Sequence, residues 1–408
     1  MTAQTGAGPA VSNATALYIA LLQFLFTLCW TIYVIFLPAL AGAVGIAAGT
    51  VILILMLDQA IFTIFDVATG IAADRISRVI GQIGRWVAIV TLISCAAFLA
   101  LPFVAGTGPA GQWLFFAATI VWTVTSSALR APPIMLLGKY AAKPKLPMLS
   151  SIVMLGYGIA GAIAPYLAIT LRGMDPRIPF AVSSVVLVLA TFGLAHVERS
   201  IARQSAAAPV PVPVTSSVSF ARIAFAVAMV ILALGYQIHF AINTAPLFRK
   251  FTDQLDWLMP IFWIGFNIAM FPATLLVKRW GGFAVMGVFG VAGAIAILAA
   301  EYATALNMLA LAQFAAGAAW GCVLMSAFTA AFATGENGHE GRMVGLLFSA
   351  LAFATFLRIG FIWAGWHRDP QIMAVLQWLP ILCWAIGGAL LLILSALWAK
   401  RQMTATAS

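Results

Sequence analysis

Long apolar segments recur along this 408-residue chain from one end to the other. A helix of about 20 apolar residues crosses the roughly 30 Å hydrocarbon core of a bilayer. Hydropathy predicts twelve such helices, which favours an all-α membrane protein. They cover roughly residues 15–42, 49–72, 86–106, 111–136, 148–171, 178–197, 221–247, 255–277, 282–300, 304–333, 342–365 and 372–399.

The composition excludes several other classes of protein. Only 8% of the residues are charged, against about 25% in soluble domains. The four cysteines all lie in apolar segments and form no C-x-x-C pair, so we predict neither a metal site nor a cofactor. No nucleophile–base spacing indicates an enzyme, and no glycine-rich phosphate loop indicates ATP drive.

The break between the sixth and seventh segments divides the chain almost at its midpoint. It contains the alternating run Ala208-Pro-Val-Pro-Val-Pro-Val214, which cannot continue a helix and favours an extended linker. We therefore predict a first six-helix bundle at 1–197, a linker at 198–219 and a second six-helix bundle at 220–408.

The basic residues predict the orientation. If both termini lie on one side, the loops on that side hold fourteen Lys and Arg residues and the opposite loops hold five. Cytoplasmic loops are enriched in Lys and Arg, so we predict an inner (plasma) membrane protein with both termini in the cytoplasm. Orientation accounts for the net charge of +10, and no nucleic-acid partner is needed to explain it.

A motif follows the second segment. The run Gly70-Ile-Ala-Ala-Asp74-Arg75-Ile-Ser77-Arg78 resembles the G-x-x-x-D-R-x-G-R-R motif of the major facilitator superfamily, with Ser77 in place of a glycine and Val79 in place of the last arginine. Gly70 is predicted to let a neighbouring helix approach closely. Asp74 and Arg75 are predicted to latch the cytoplasmic ends of helices.

A partial copy of this motif follows the eighth segment. It reads Lys278-Arg279-Trp280-Gly281, with a lysine where the acid would stand. The resemblance implies two six-helix bundles related by a pseudo-two-fold axis, and a transporter that works by alternating access. The predicted conformational motif comprises Gly70, Asp74, Arg75, Arg78, Arg279 and Gly281.

Within the superfamily, the second segment is similar to helix 2 of melibiose-carrier (glycoside-pentoside-hexuronide:cation) symporters. In both, an acid, here Asp66, precedes the glycine by four residues. Those carriers place a second acid one turn earlier to build a sodium site. Phe62 stands there in this chain, and the other acid is Asp58, so the resemblance implies an important second helix without implying sodium.

Ionisable residues inside the membrane are costly and usually functional. Asp66 and Arg130 lie at similar depth, so we predict that they pair; a purely structural pair is the alternative. Asp58 and Arg358 also match in depth, and the resemblance implies that their helices face each other across the halves. We predict a bridging pair, the alternative being that Arg358 extends to the interface.

Uncharged polar side chains predict a solute cavity. The candidates are Gln23, Thr27 and Thr31 in the first segment and Gln237, His239 and Asn243 in the seventh. His239 and Asn243 share a helix face at four-residue spacing, and an imidazole, which titrates at about pH 6.5, can carry a proton. Packing groups satisfied by their neighbours are the alternative. Pro132-Pro133 is predicted to break the fourth helix beside Arg130.

Together these features predict a secondary transporter for a small organic solute, coupled to protons through Asp66 or Asp58 and acting as a monomer. The four membrane charges cancel in pairs, which favours an amphipathic or uncharged solute. The alternatives are a proton-antiport exporter of drugs or metabolites, and a non-transport membrane assembly or lipid-handling factor.

Overall fold

The computed structural model describes residues 11–205, 219–335 and 338–407. Twelve helices in this part of the chain are long and apolar enough to span a membrane, which confirms the predicted number, and the described residues contain no strand. They are α1 (Asn13–Ala43), α2 (Ala48–Ile76), α3 (Gln82–Ala105), α4 (Gly108–Tyr140), α5 (Lys143–Thr170), α6 (Arg177–Arg203), α7 (Phe220–Arg249), α8 (Leu255–Trp280), α9 (Gly282–Glu301), α10 (Leu306–Gly335), α11 (Glu340–Trp363) and α12 (Pro370–Leu397).

Helix α4 is interrupted, as the proline pair predicts. Its first part ends at Ser126, a short 3₁₀ turn covers Ser127–Leu129, and a second helix runs over Ala131–Tyr140. Pro132 and Pro133 have no backbone N–H to donate to the preceding turn, so the helix restarts at this point. Arg130 lies at the junction.

Helix α7 contains a π-helical turn, which the sequence did not predict. The turn covers His239–Asn243, and the backbone N–H of Thr244 bonds to the carbonyl of His239, five residues earlier. The wider turn takes up an extra residue and changes the direction of the side chains around it.

The two halves repeat one packing pattern. In the first half α1 packs against α5 and α6, and α3 packs against α4 and α6. In the second half α7 packs in the same way against α11 and α12, and α9 against α10 and α12. Between the halves, α2 packs against α11 and its symmetry counterpart α8 packs against α5. This correspondence is the pseudo-two-fold relation.

The predicted linker begins at residue 198, and helix runs through this position as far as Ser205. Glu198 is buried there and accepts a hydrogen bond from the backbone N–H of Gly84 at the start of α3 (2.8 Å). The alternating prolines of the predicted linker lie outside the described residues.

We refer to the side of the bundle where α1 begins and α2 ends as the basic side. It is the side that we predict to be cytoplasmic.

Candidate functional site

A cavity of about 230 Å³ lies between the two halves. Helices α1, α2, α4 and α5 line it from the first half, and α7, α10 and α11 line it from the second. Its uncharged polar lining, apart from two tyrosines, consists of Gln23, Thr27, Gln59, Gln237 and Thr355. Most of the remaining wall is aromatic or aliphatic, and two arginines supply its charges.

The predicted ion pair between Asp66 and Arg130 is present beside this cavity. Arg130 Nη1 lies 2.8 Å from Asp66 Oδ2, and the exposed fractions of the two side chains are 13% and 0%. Asp66 is therefore sealed from the cavity, whereas Arg130 lines it. The contact is an ion pair by distance, and neither carboxylate oxygen of Asp66 has a hydrogen-bond partner among the described residues.

Aromatic rings from both halves hold the guanidinium of Arg130. Its Cζ lies 4.6 Å from the centre of the Phe62 ring on α2 and 4.9 Å from that of Phe348 on α11. Both distances are typical of cation–π contacts. Arg130 thus joins Asp66 of the first half to Phe348 of the second.

A hydrogen bond from α1 supports the break in α4. Without the break, the carbonyl of Leu129 would bond to the N–H of residue 133, which is a proline and has none. The side-chain amide of Gln23 donates to this carbonyl instead (2.8 Å), and both groups are buried. Gln23 was predicted to bind solute; here it also holds the backbone that positions Arg130.

The predicted pair between Asp58 and Arg358 is absent, and the prediction of this pair is wrong for this conformation. Asp58 is fully buried within the first half and accepts hydrogen bonds from the hydroxyls of Tyr33 (2.9 Å) and Thr123 (2.7 Å). Equal depth does not determine the direction of a side chain. Asp58 points towards α1 and α4 and away from α11.

Arg358 lines the cavity from α11. Among the described residues it forms no ion pair within 4 Å, and its Nε atom is buried without a hydrogen-bond partner. Its electrostatic neighbour is the phenol of Tyr236 on α7.

Three of the predicted cavity residues lie elsewhere. His239 is buried and bonds to Gln313 on α10 (3.1 Å), while the Asn243 side chain donates to the Leu376 carbonyl at the end of the first turns of α12 (3.0 Å). His239 therefore bonds towards α10, whereas Asn243 bonds towards α12. Thr31 donates to a carbonyl of its own helix (2.9 Å) and does not reach the cavity.

The halves are closely packed on the basic side of the cavity. A Cβ placed on Gly70 would come within 2.2 Å of the Gly341 carbonyl, and one on Gly345 within 2.3 Å of the Asp66 carbonyl. Nearer the opposite side, a Cβ on Gly360 would meet only Met56, at 3.8 Å. The contact between α2 and α11 is therefore tightest at the basic end, and we call this contact the basic-side seal.

Asp74 closes the basic-side seal. Its carboxylate accepts hydrogen bonds from the backbone N–H groups of Gly341 (2.7 Å) and Arg342 (2.8 Å) in the first turn of α11. These donors have no partner within their own helix, and the positive end of the helix dipole favours a carboxylate there. Asp74 therefore acts between the halves, as the motif predicts.

Comparison with known protein families agrees with the fold and the motif described above. The model of the Major Facilitator Superfamily matches residues 19–358, which is most of the chain. The chain belongs to the Major Facilitator Superfamily. No curated protein matches the sequence.

Several solved transporters of this superfamily share the fold. The human organic anion transporter MFSD10 has a TM-score of 0.67 and 14% identity, over 95% of this chain and 99% of that one. A bacterial homologue of the iron transporter ferroportin in its outward-facing state has a TM-score of 0.73 and 13% identity, over 94% and 99%. The E. coli fucose:proton symporter FucP has 0.60 and 13%, over 94% and 98%. At these identities the likeness concerns the fold alone.

The other residues of the superfamily motif lie at the basic surface. Arg75, Arg78 and Arg279 are exposed. Gly281 has a φ of 83° between α8 and α9, a left-handed conformation that glycine adopts readily.

Several cavity residues escaped the sequence analysis, although a signal for them existed. Gln59 and Phe62 stand seven and four residues before the predicted Asp66, which places them on its face of α2. Phe348, Leu351 and Thr355 share a face of α11 with the predicted Arg358 at the same three- and four-residue spacing. Most of these residues are apolar or uncharged, and a search for charges inside the membrane passes over them.

Proposed function

We propose that this protein is a secondary transporter that carries a small organic solute through the central cavity by alternating access, coupled to protons at Asp66. The observation that carries the proposal is the position of the Asp66–Arg130 pair. It lies where the cavity meets the basic-side seal. The pair therefore adjoins both the space for the solute and the contact between α2 and α11 that must open.

The same stretch of α2 supplies the carboxylate and the seal. The Asp66 carbonyl lies against Gly345 of α11, while the Asp66 carboxylate holds Arg130 of α4. Protonation of Asp66 removes the negative charge and releases Arg130 from its partner. Arg130 also contacts Phe348 of α11, so its release changes a contact between the halves. A ligand shifts a two-state equilibrium when it interacts differently with the two states, and a proton at Asp66 meets this condition.

The test is solute-driven proton flux in liposomes that contain the purified protein and an internal pH dye. We expect at least one solute of a broad panel to move protons, and Asp66→Asn to abolish the flux while solute binding persists. Asp58→Asn is the matched control, because it removes a buried carboxylate that has no cationic partner. Flux that survives in Asp66→Asn and fails in Asp58→Asn would move the coupling role to Asp58.

The same assay separates the alternatives. Protons that move opposite to the solute would favour an exporter of the antiport type. If no solute moves, with or without protons, the transport proposal fails and an assembly or lipid-handling role takes its place. We further propose that the protein acts as a monomer, because the cavity is built from a single chain.

A further inference from the structure

The cavity contains a second guanidinium, and the transport proposal leaves it without a role. Arg358 lies on the cavity wall, has no carboxylate within ion-pair distance among the described residues, and leaves its buried Nε without an acceptor. A cation inside a membrane protein normally has a counter-charge or a function.

The charges around the cavity leave one positive charge unbalanced. Arg130 and Arg358 are the only ionic residues in its described lining. Asp66 neutralises Arg130 at 2.8 Å. Asp58 is held by Tyr33 and Thr123 and lies behind the aromatic cluster in which Trp122 stacks on Trp30 (5.6 Å). The charge on Arg358 therefore faces the solute space without a protein partner.

The walls beside Arg358 are flat and aromatic. Tyr236, its electrostatic neighbour, stacks on Trp320 with 4.5 Å between ring centres and 10° between planes. Trp30 lines the facing half, edge-on to Phe62 at 5.4 Å. Such surfaces bury apolar or aromatic groups and do not suit a strongly hydrated inorganic ion.

We infer that Arg358 anchors the anionic group of the solute, and that the solute is an organic monoanion with a flat apolar body. A guanidinium presents two parallel N–H donors that match a carboxylate, and the single unbalanced charge matches a single negative charge. The inference rests on the proposed role of the cavity as the solute site. It replaces the expectation that the membrane charges cancel, which depended on the absent Asp58–Arg358 pair.

The first experiment measures equilibrium binding to the purified full-length protein in detergent by isothermal titration calorimetry. The probes are matched pairs of nearly equal shape: indole-3-acetate with indole-3-acetamide, and benzoate with benzamide. Acetate tests for charge without an apolar body. We expect an acid to bind at least about 10-fold more tightly than its amide, and acetate to bind more weakly than either acid. If each amide binds as tightly as its acid, the inference is overturned.

Substitutions assign the preference to Arg358. Arg358→Gln should weaken acid binding by roughly 10- to 100-fold and leave amide binding unchanged, because only the charged hydrogen bonds are lost. Arg358→Lys should retain part of the acid preference and serves as the folded variant if the glutamine variant is unstable. Arg172→Gln removes an exposed arginine from the loop between α5 and α6 and should change neither affinity. Full acid preference in both Arg358 variants would overturn the inference.

Binding and transport results separate this inference from the transport proposal. An acid that binds through Arg358 and moves across no liposome membrane would support the anion site and contradict the transport role. An uncharged solute that moves with protons equally well in wild type and Arg358→Gln would support transport and overturn the anion site.

Discussion

The Asp66–Arg130 pair is an individual contact whose energy can be measured. Removing one member of a buried ion pair leaves an uncompensated charge, while removing both does not. We therefore expect Arg130→Gln to lower the unfolding temperature by more than the double variant Asp66→Asn/Arg130→Gln does. The interaction energy from a double-mutant cycle should be about 0.5–3 kcal/mol. Thermal unfolding of the four proteins in detergent measures it, and additive shifts would contradict a stabilising pair.

Gln23 offers a second test of a single contact. Gln23→Leu removes the donor to the Leu129 carbonyl and leaves that buried carbonyl unpaired, which should cost about 1–3 kcal/mol of unfolding free energy. Gln59→Leu is the matched control, since Gln59 lines the same cavity and its side chain forms no hydrogen bond within the described protein. Thermal unfolding should separate the two variants. Equal losses would show that Gln23 does not support the break in α4.

The contrast between two aspartates shows what a sequence can predict about contacts inside a membrane. Asp66 and Arg130 could be paired from depth alone because the helix rise fixes depth. The same argument failed for Asp58 and Arg358, because depth does not fix the direction in which a side chain points around the axis of its helix. Tyr33 and Thr123, the partners of Asp58, carry no charge that would reveal them in the sequence.

At the scale of the helix, local chemistry decides which irregularities are predictable. Two adjacent prolines remove two N–H donors, so the break in α4 follows directly from the residue types. The π-helical turn at His239–Asn243 has no such cause in its own residues. His239 bonds to α10 and Asn243 bonds to α12. The turn therefore depends on contacts with other helices, which cannot be predicted from one helix taken alone.

The contact between α2 and α11 can be tested with one methyl group. In Gly70→Ala the new Cβ would lie 2.2 Å from the Gly341 carbonyl, more than 1 Å inside ordinary contact. The helices must separate, which should favour conformations open on the basic side and slow transport. Spin labels at Val79→Cys and Lys278→Cys report this separation, because both positions are exposed and the four native cysteines are buried.

Gly49→Ala is the control on the same helix, since a Cβ at Gly49 meets no atom within 4 Å. Its distance distribution should match that of the wild type. If Gly70→Ala also leaves the distribution unchanged, the basic-side seal does not limit opening.

At the scale of the whole molecule, the two contacts between the halves that the pseudo-two-fold axis relates differ in their chemistry. The contact between α2 and α11 is fastened by Asp74, which caps the first turn of α11. In the equivalent contact between α8 and α5, Lys278 stands where the acid would be, and the first turn of α5 has no side-chain cap. The contact between α2 and α11 is therefore fastened by a carboxylate that its counterpart between α8 and α5 lacks.

The distribution of basic residues predicts the orientation of the protein in the membrane. Fourteen basic residues on one side against five on the other predict that the basic side faces the cytoplasm. In intact bacterial cells, a membrane-impermeant maleimide should label Met174→Cys, which is exposed between α5 and α6 on the opposite side. It should label Val79→Cys, exposed between α2 and α3, only after the cells are permeabilised. The reverse pattern would invert the topology, and the cavity beyond the basic-side seal would then face inwards.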